Sequence, residues 1–287
     1  MSFIFFAWVA TILYGVEVFV GKIATKYSIQ NPWLYTFVWS LFIALMTLPI
    51  ALINHAGLPK ELPMLLGASV FYASTNILYV LILYLLDVSI LSPLFNIRTV
   101  FAVILAALFA GEILNPFQYF LIGVLFVAGV LLTMDERFSV KSFFRPPIFL
   151  ALLTMLSVAL MGIFIKKSIA LNGFWETTLW TQVIAQLFLL PIIPLFKRDV
   201  KKITTSNISF LLVIALLGTA GTLAANKATQ TNVGITSAIL SIPVSMILAM
   251  GASVFWPKLL EKHTAKIYTI RIIAAVIMIF AALQLSK

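Results

Sequence analysis

Long apolar runs that carry no charge dominate the chain. Each is long enough to hold a membrane-spanning helix of about 17–25 residues. The runs occupy residues 27–59, 62–86, 177–195, 203–226 and 228–257. They are apolar on every side and do not alternate between apolar and polar positions, which favours lipid-embedded helices over a β-barrel. The pattern therefore predicts an all-α polytopic membrane protein.

Short polar breaks divide the chain into ten predicted helices. They span Phe3–Thr25, Pro32–Leu52, Leu62–Leu86, Val88–Ala110, Pro116–Met134, Ile148–Ala170, Phe174–Phe196, Ser209–Ala228, Val233–Trp256 and Ala265–Leu285. The polar stretch after the fifth helix is the longest in the first half and ends in two prolines, so it is the natural joint between two bundles. We therefore expect a five-helix repeat at 1–134, a linker at 135–147 and a second five-helix repeat at 148–287.

The two halves share sequence patterns in the same order and at nearly the same spacing. The matching segments are 31–33 with 172–174, 18–22 with 163–167, and 98–100 with 242–244. Because each repeat crosses the membrane an odd number of times, the second copy must be upside down. We therefore predict ten transmembrane helices in two inverted five-helix repeats. This architecture is typical of secondary transporters with a substrate site near the midplane.

A motif in the fourth helix and the loop after it carries a family resemblance. Thr99-Val100-Phe101 begins an apolar run that ends at Gly111-Glu112-Ile113-Leu114, and Gly123 and Gly129 follow in the fifth helix. This order resembles the EamA-type members of the drug/metabolite transporter superfamily. Their repeats typically read Pro-Val-Phe, an apolar run, Gly-Glu-Arg-Leu and a glycine-rich helix. The resemblance covers almost the whole chain and implies a membrane carrier of small metabolites.

The repeats depart from the family pattern in different places. Thr99 stands where the family usually has proline, whereas the second repeat keeps its proline at Pro243. The second repeat in turn has Trp256-Pro257-Lys258 where Gly-Glu is expected. Pro93 and Pro243 lie inside predicted helices, where each removes a backbone hydrogen bond and can kink or hinge the helix.

Composition excludes several functional classes. Apolar residues make up 62% of the chain and charged residues only 10%, whereas soluble domains are about one quarter charged. The formal charge is +10, but most basic residues cap apolar runs or lie in short loops, which favours anchoring at lipid head groups over nucleic-acid binding. The chain has no cysteine, and neither His55 nor His263 has suitably spaced carboxylates nearby. We expect no metal, no cofactor and, without HExxH or similar motifs, no enzyme.

Two charges near the middle of the membrane are the strongest candidates for chemistry. Arg98 is the only charge between Val88 and Ala110, and Glu17 lies near the centre of the first helix. Such a charge costs about 2.5–3.5 kcal/mol on insertion scales, so it is expected to face a partner, a cavity or a substrate. Glu17 is either a carboxylate that couples protons or substrate, or the structural partner of Arg98 or Lys22. Arg98 either binds a substrate carboxylate or phosphate, or ties helices together.

Polar residues at helical spacing supply the remaining candidates for substrate binding. They are Tyr72, Asn76 and Tyr79 of helix 3, Ser92 and Asn96 of helix 4, Asn226 and Lys227 of helix 8, and Ser237 and Ser241 of helix 9. The stripes on helices 3, 4 and 9 each share one helix face. Each stripe is either a wall of a central cavity or an interhelical hydrogen-bonding seam. Lys22, Lys166 and Lys167 lie near helix ends and are expected to reach the membrane surface.

These observations predict a secondary active transporter of small polar or amphipathic metabolites, such as amino-acid-like solutes, that works by alternating access. A flippase of a lipid-linked head group and a multidrug or cation exporter are the alternatives. The expected partners are a small-molecule substrate, the lipid bilayer and, if Glu17 carries the coupling, protons. The chain is expected to be a monomer or a weak homodimer in a bacterial inner (plasma) membrane.

Two indications about the orientation of the termini disagree. Lysine and arginine concentrate in the loops after helices 5, 7 and 9, and the positive-inside rule would then place both termini outside. The family resemblance implies that both termini are inside. The sequence leaves this choice open.

Overall fold

The computed structural model describes residues 2–86, 88–133, 146–255 and 265–285, and these ranges fold into α-helices with two short 3₁₀ turns. The helices are α1 (Phe3–Tyr27), α2 (Pro32–Ile53), α3 (Leu62–Leu85), α4 (Val88–Phe109), α5 (Pro116–Thr133), α6 (Pro146–Asn172), α7 (Phe174–Leu189), α8 (Thr205–Thr229), α9 (Val233–Leu240), α10 (Val244–Phe255) and α11 (Ala265–Leu285). The prediction of an all-α membrane fold is confirmed. The predicted linker lies outside the described residues as far as residue 145.

The ninth predicted helix is broken into two segments. It was expected to run from about Val233 to Trp256 with a kink or hinge possible at Pro243, and in the structure α9 ends at Leu240 and α10 begins at Val244. The break lies at Pro243, which has no N–H group to donate and whose ring clashes with the preceding turn. The equivalent helix α4 continues as helix through Pro93. Proline alone therefore does not decide where a helix breaks.

The part of the chain that the structure describes contains ten long helical elements when α9 and α10 are counted as one. Within the described ranges, seven are long and apolar enough to span a membrane, and three shorter apolar helices accompany them. Near the loop between α7 and α8, the chain forms a 3₁₀ turn at Leu190–Leu195, where Pro191 and Pro194 interrupt the α-helix. A capping box made by Thr204 and Asn207 then begins α8.

Helix packing follows the pattern expected of two repeats. Helix α1 packs on α8, and the equivalent pair packs α6 on α3. In the same way, the packing of α2 on α8 corresponds to the packing of α7 on α3. The packing of α4 on α6 corresponds to the packing of α9 and α10 on α1. Helices α5 and α11 pack on each other at the periphery. Every one of these contacts maps onto another when the two halves are exchanged, as a pseudo-two-fold axis requires.

Two asparagines that match in sequence join the repeats at opposite ends of the bundle. Asn31 caps α2 by accepting from the Trp33 backbone N–H at 2.9 Å, and its amide donates to Asp199 at 2.7 Å. Asn172 accepts from the backbone N–H groups of Lys60 and Glu61, both at 2.8 Å. Both are thus ties between the two repeats.

Asp199 lies outside the spans, in the loop before α8. Hydrogen bonds from Lys202 and Asn31 hold the pKa of this exposed carboxyl below its ordinary value. It therefore stays ionised and keeps the Asn31 tie over a wide pH range.

Candidate functional site

A central cavity lies between helices of both repeats. About 1200 Å³ of space lies between its lining atoms, and part of that space is open to solvent. The predicted residues Glu17, Tyr72, Asn76, Tyr79, Arg98, Asn226 and Ser237 all line it. At one end of the cavity the lining reaches Thr229, the last residue of α8, and Val233, the first residue of α9. At the other end the lining residues of α3 and α4 lie within these helices and not at their ends. The fold therefore gathers residues that are far apart in sequence into one chamber.

Asn96, Ser241 and Lys227 are not among the residues that line this cavity. Asn96 is buried at 1% exposure and donates to the Met278 sulfur at 3.3 Å. The Ser241 hydroxyl donates to the Ala238 carbonyl at 2.7 Å, as a residue at a helix end often does. Lys227 is exposed and lies over the Phe174 ring. The Ser92 side chain lies outside the described part of α4.

Glu17 is buried in the cavity wall without a charged partner. It is 4% exposed, and its Oε1 has no hydrogen-bond partner among the described residues. In the described part of the chain, neither Arg98 nor Lys22 has a side-chain nitrogen within 4.0 Å of a Glu17 carboxylate oxygen, so neither forms an ion pair with it. Lys22 instead donates to the carbonyls of Leu83 and Leu86 at 3.0 and 2.8 Å. The structural ion pair that was one alternative for Glu17 is therefore not found in the described chain, and Lys22 is buried rather than at the surface.

Arg98 faces the same cavity from α4. Its side chain is partly buried, and its Nε has no hydrogen-bond partner within the described ranges. Tyr14, one turn before Glu17 on α1, is within electrostatic range of both Glu17 and Arg98. The Tyr14 hydroxyl donates to Thr222 Oγ1 at 3.2 Å, which ties it to α8. The cavity thus contains one carboxyl group and one guanidinium group that form no ion pair with each other in the described chain.

Aromatic rings form the wall where the cavity lining stops inside α3 and α4. The Trp39 and Tyr79 ring centroids are 5.8 Å apart, and Tyr79 stacks on Phe95 at 6.5 Å. The Trp39 indole N–H has no hydrogen-bond partner in the described chain. Such an apolar face can hold the hydrocarbon part of a ligand. The Trp39 indole lies close to the Glu17 carboxyl group, so the aromatic wall and the carboxyl group are neighbours in the cavity.

Polar residues around the cavity also bridge helices. Asn76 donates to Ser40 Oγ at 3.2 Å, and Asn226 donates to Thr178 Oγ1 at 3.2 Å. Thr99 of α4 donates to the Ser237 carbonyl of α9 at 3.2 Å. The polar residues were expected either to line a cavity or to form hydrogen bonds between helices. In the structure the same residues do both.

Sequence reasoning missed several residues that line the cavity. Tyr14 could have been found, because it lies three positions before Glu17 and shares its helix face. Trp39 and Thr222 also line the chamber, but only tertiary packing turns them inward. Ser245, which continues the four-residue spacing of Ser237 and Ser241 and was expected on the same cavity wall, lines it as well. Within the described ranges, no group of three or more His, Asp or Glu side chains is placed to hold a metal ion.

The Gly-Glu motif closes the end of α4 onto the beginning of α9. Gly111 has φ of 65° and the Glu112 N–H donates to the Ala106 carbonyl, so the chain reverses at a left-handed residue that glycine adopts without strain. The Glu112 carboxylate then accepts from the backbone N–H groups of Val233 at 2.7 Å and Gly234 at 3.0 Å. Here a side chain of the first repeat caps a helix of the second.

Comparison with known proteins agrees with this architecture. The model of the EamA-like transporter family matches residues 1–134 and again residues 145–285. The chain belongs to the EamA-like transporter family. A solved crystal structure whose description states no activity superposes on this transporter with a TM-score of 0.70 at 11% sequence identity, covering 99% of both chains. At that identity the likeness shows the fold alone. A search of curated proteins gives no match.

Proposed function

We propose that this EamA-like transporter carries small amphipathic zwitterions, amino-acid-like solutes in particular, across the membrane by alternating access. The observation that supports it is the presence of Glu17 and Arg98 in one cavity without an ion pair between them. A solute with one ammonium and one carboxylate group neutralises both side chains at once. Arg98 offers the carboxylate a bidentate guanidinium fork.

The energetic argument rests on the cost of each charge in the membrane. An ionised side chain at a helix centre costs about 2.5–3.5 kcal/mol on insertion scales. A ligand that forms ion pairs with both Glu17 and Arg98 offsets part of this free-energy cost, whereas a neutral ligand offsets none of it. The Trp39, Tyr79 and Phe95 rings take the apolar part of the solute.

Alternating access follows from the inverted repeats, because exchanging the conformations of two equivalent halves exposes a central site first to one side and then to the other. Glu17 provides the proposed coupling. Protonation removes the charge that the substrate ammonium needs, so proton and substrate compete for the same carboxylate. We expect the protein to work as a monomer or a weak homodimer in a bacterial inner membrane.

Matched probes test the proposal. Purified protein is heated with L-leucine, with L-leucinamide, which lacks the carboxylate, and with N-acetyl-L-leucine, which lacks the ammonium group. We expect leucine to raise the melting temperature most, because only a bound ligand stabilises the folded state. Uptake of labelled leucine into proteoliposomes then shows transport.

Other results would point to the alternative functions. Stabilisation by leucinamide equal to that by leucine, with no effect of Arg98→Ala, would contradict the zwitterion proposal and favour a cation exporter. Movement of a fluorescent lipid between leaflets, without leucine uptake, would favour a flippase. An imposed pH gradient that changes leucine uptake in wild type but not in Glu17→Gln supports proton coupling.

A further inference from the structure

Two glycines of α8, Gly218 and Gly221, lie against the Glu17 and Tyr14 side chains of α1. A methyl group placed on Gly218 would lie 2.6 Å from Glu17 Oε1 and 3.0 Å from Ile43 Cδ1. A methyl group on Gly221 would lie 2.7 Å from Tyr14 Cε1. Both α1 side chains therefore touch the α8 backbone directly, and no larger residue fits at either position without displacing them.

The α8 backbone limits the position of Glu17 Oε1, and the Trp39 indole lies close to the same carboxyl group. Tyr14 is anchored through its bond to Thr222, but Glu17 Oε1 has no such anchor within the described chain. Gly218, which also lines the cavity, limits how close the Glu17 carboxylate can lie to α8. A methyl group added to residue 218 would push the Glu17 carboxylate into the space that a ligand occupies.

The equivalent interface of the other half shows that this arrangement is not a general requirement of the repeat. The sequence match of 18–22 with 163–167 places Gly162 opposite Glu17, so α6 has no carboxylate there. The glycine that α3 offers to α6 is Gly67, and it contacts the Phe164 ring. A glycine therefore accommodates an aromatic ring in one interface and the cavity carboxylate in the other.

We infer that Gly218 is a positioning residue that determines how large a cationic group the site accepts. The inference rests on the proposed function, in which Glu17 binds the substrate ammonium. The bare backbone at residue 218 holds the carboxylate back and leaves room in front of it. A side chain there advances the carboxylate and excludes ammonium groups that carry extra methyl groups.

The test compares the affinities of the intact protein for L-leucine and N-methyl-L-leucine. We expect Gly218→Ala to weaken N-methyl-leucine binding about tenfold more than leucine binding, because one methyl group in a filled pocket has an effect of this size. Loss of folded protein lowers both signals equally, so it leaves the ratio of the two dissociation constants unchanged. Gly123→Ala is the matched control, since nothing lies within 4 Å of the added methyl group.

A second variant separates positioning from damage. The double variant Glu17→Asp with Gly218→Ala draws the carboxylate back by one methylene, and we expect it to restore the wild-type ratio. The inference is overturned if Gly218→Ala leaves the ratio of the two dissociation constants unchanged. It is also overturned if the double variant does not restore the wild-type ratio, or if the wild type does not bind N-methyl-leucine. Leucine binding that Glu17→Gln leaves intact is a different result, which overturns the proposed function itself.

Discussion

The Glu112 carboxylate and the Lys166 ammonium lie 2.6 Å apart, and they join α4 of the first repeat to α6 of the second. Lys166 also donates to the Thr231 carbonyl at 3.1 Å, just before α9 begins. Lys166 was expected to reach the membrane surface, but it is partly buried in this inter-repeat contact, with 22% of its side chain exposed. Because Val233 both bonds to Glu112 and lines the cavity, the pair holds one end of the chamber in place.

Glu112→Ala should lower the stability of the protein by about 1–3 kcal/mol, because it leaves the Val233 and Gly234 N–H groups uncapped and Lys166 without its carboxylate. Thermal unfolding in detergent measures the change. Lys166→Met should cost less, since the cap on α9 remains. The double variant should lose less than the sum of the two single losses, and strictly additive losses would show that the two residues do not interact.

Glu17→Gln should weaken leucine binding about 30-fold or more, since removing one partner of a buried charge pair costs about 2 kcal/mol or more. The amide has nearly the same shape, so the amount of folded protein in the membrane should not change. Isothermal titration and proteoliposome uptake measure the effect. Glu61→Gln is the control, because Glu61 is exposed at the beginning of α3, and an equal loss in both variants would contradict a specific role.

Arg98→Ala should abolish leucine uptake, and Arg98→Lys should restore it only in part. Lysine keeps the positive charge but cannot offer two parallel N–H bonds to a carboxylate. Binding of leucinamide, which has no carboxylate, should respond far less to either change. The exposed loop residue Arg198 provides the control variant Arg198→Ala, and wild-type uptake by Arg98→Ala would remove Arg98 from the site.

Gly15→Ala should destabilise the protein by about 1–3 kcal/mol, the usual cost of overpacking. The added methyl group would lie 2.5 Å from Val244 Cβ, at the beginning of α10, where the broken helix packs on α1. Gly251→Ala, in open space on α10, should be neutral or slightly stabilising. Equal melting temperatures for the two variants would show that the chain at Pro243 shifts to accommodate the methyl group without loss of stability.

The orientation of the termini calls for a topology measurement. A reporter that is active only in the cytoplasm, fused after residue 287, should be active if both termini are inside, as the family resemblance implies. An inactive reporter, together with activity of the same reporter in the loop between α7 and α8, would instead support the positive-inside count.

The sequence alone determined the architecture, because hydrophobic patterning, charge spacing and internal repetition are local or periodic signals. The apolar runs predicted the ten crossings, and the matched segments around Asn31 and Asn172 revealed the repeat before any contact was known. Glu17 and Arg98 stood out for the same reason, since a charge inside an apolar run is visible without a fold.

Only the tertiary structure decided which side chains meet. Asn96 and Lys227 have the spacing or neighbours of cavity residues, yet the first packs towards α11 and the second lies at the surface. Gly218 carries no sequence signal, and its importance comes from the carboxylate of another repeat that rests on it. Such contacts depend on the distance between helices and on how each is rotated. A hydropathy pattern does not encode either quantity, because lipid and protein interior are similarly apolar.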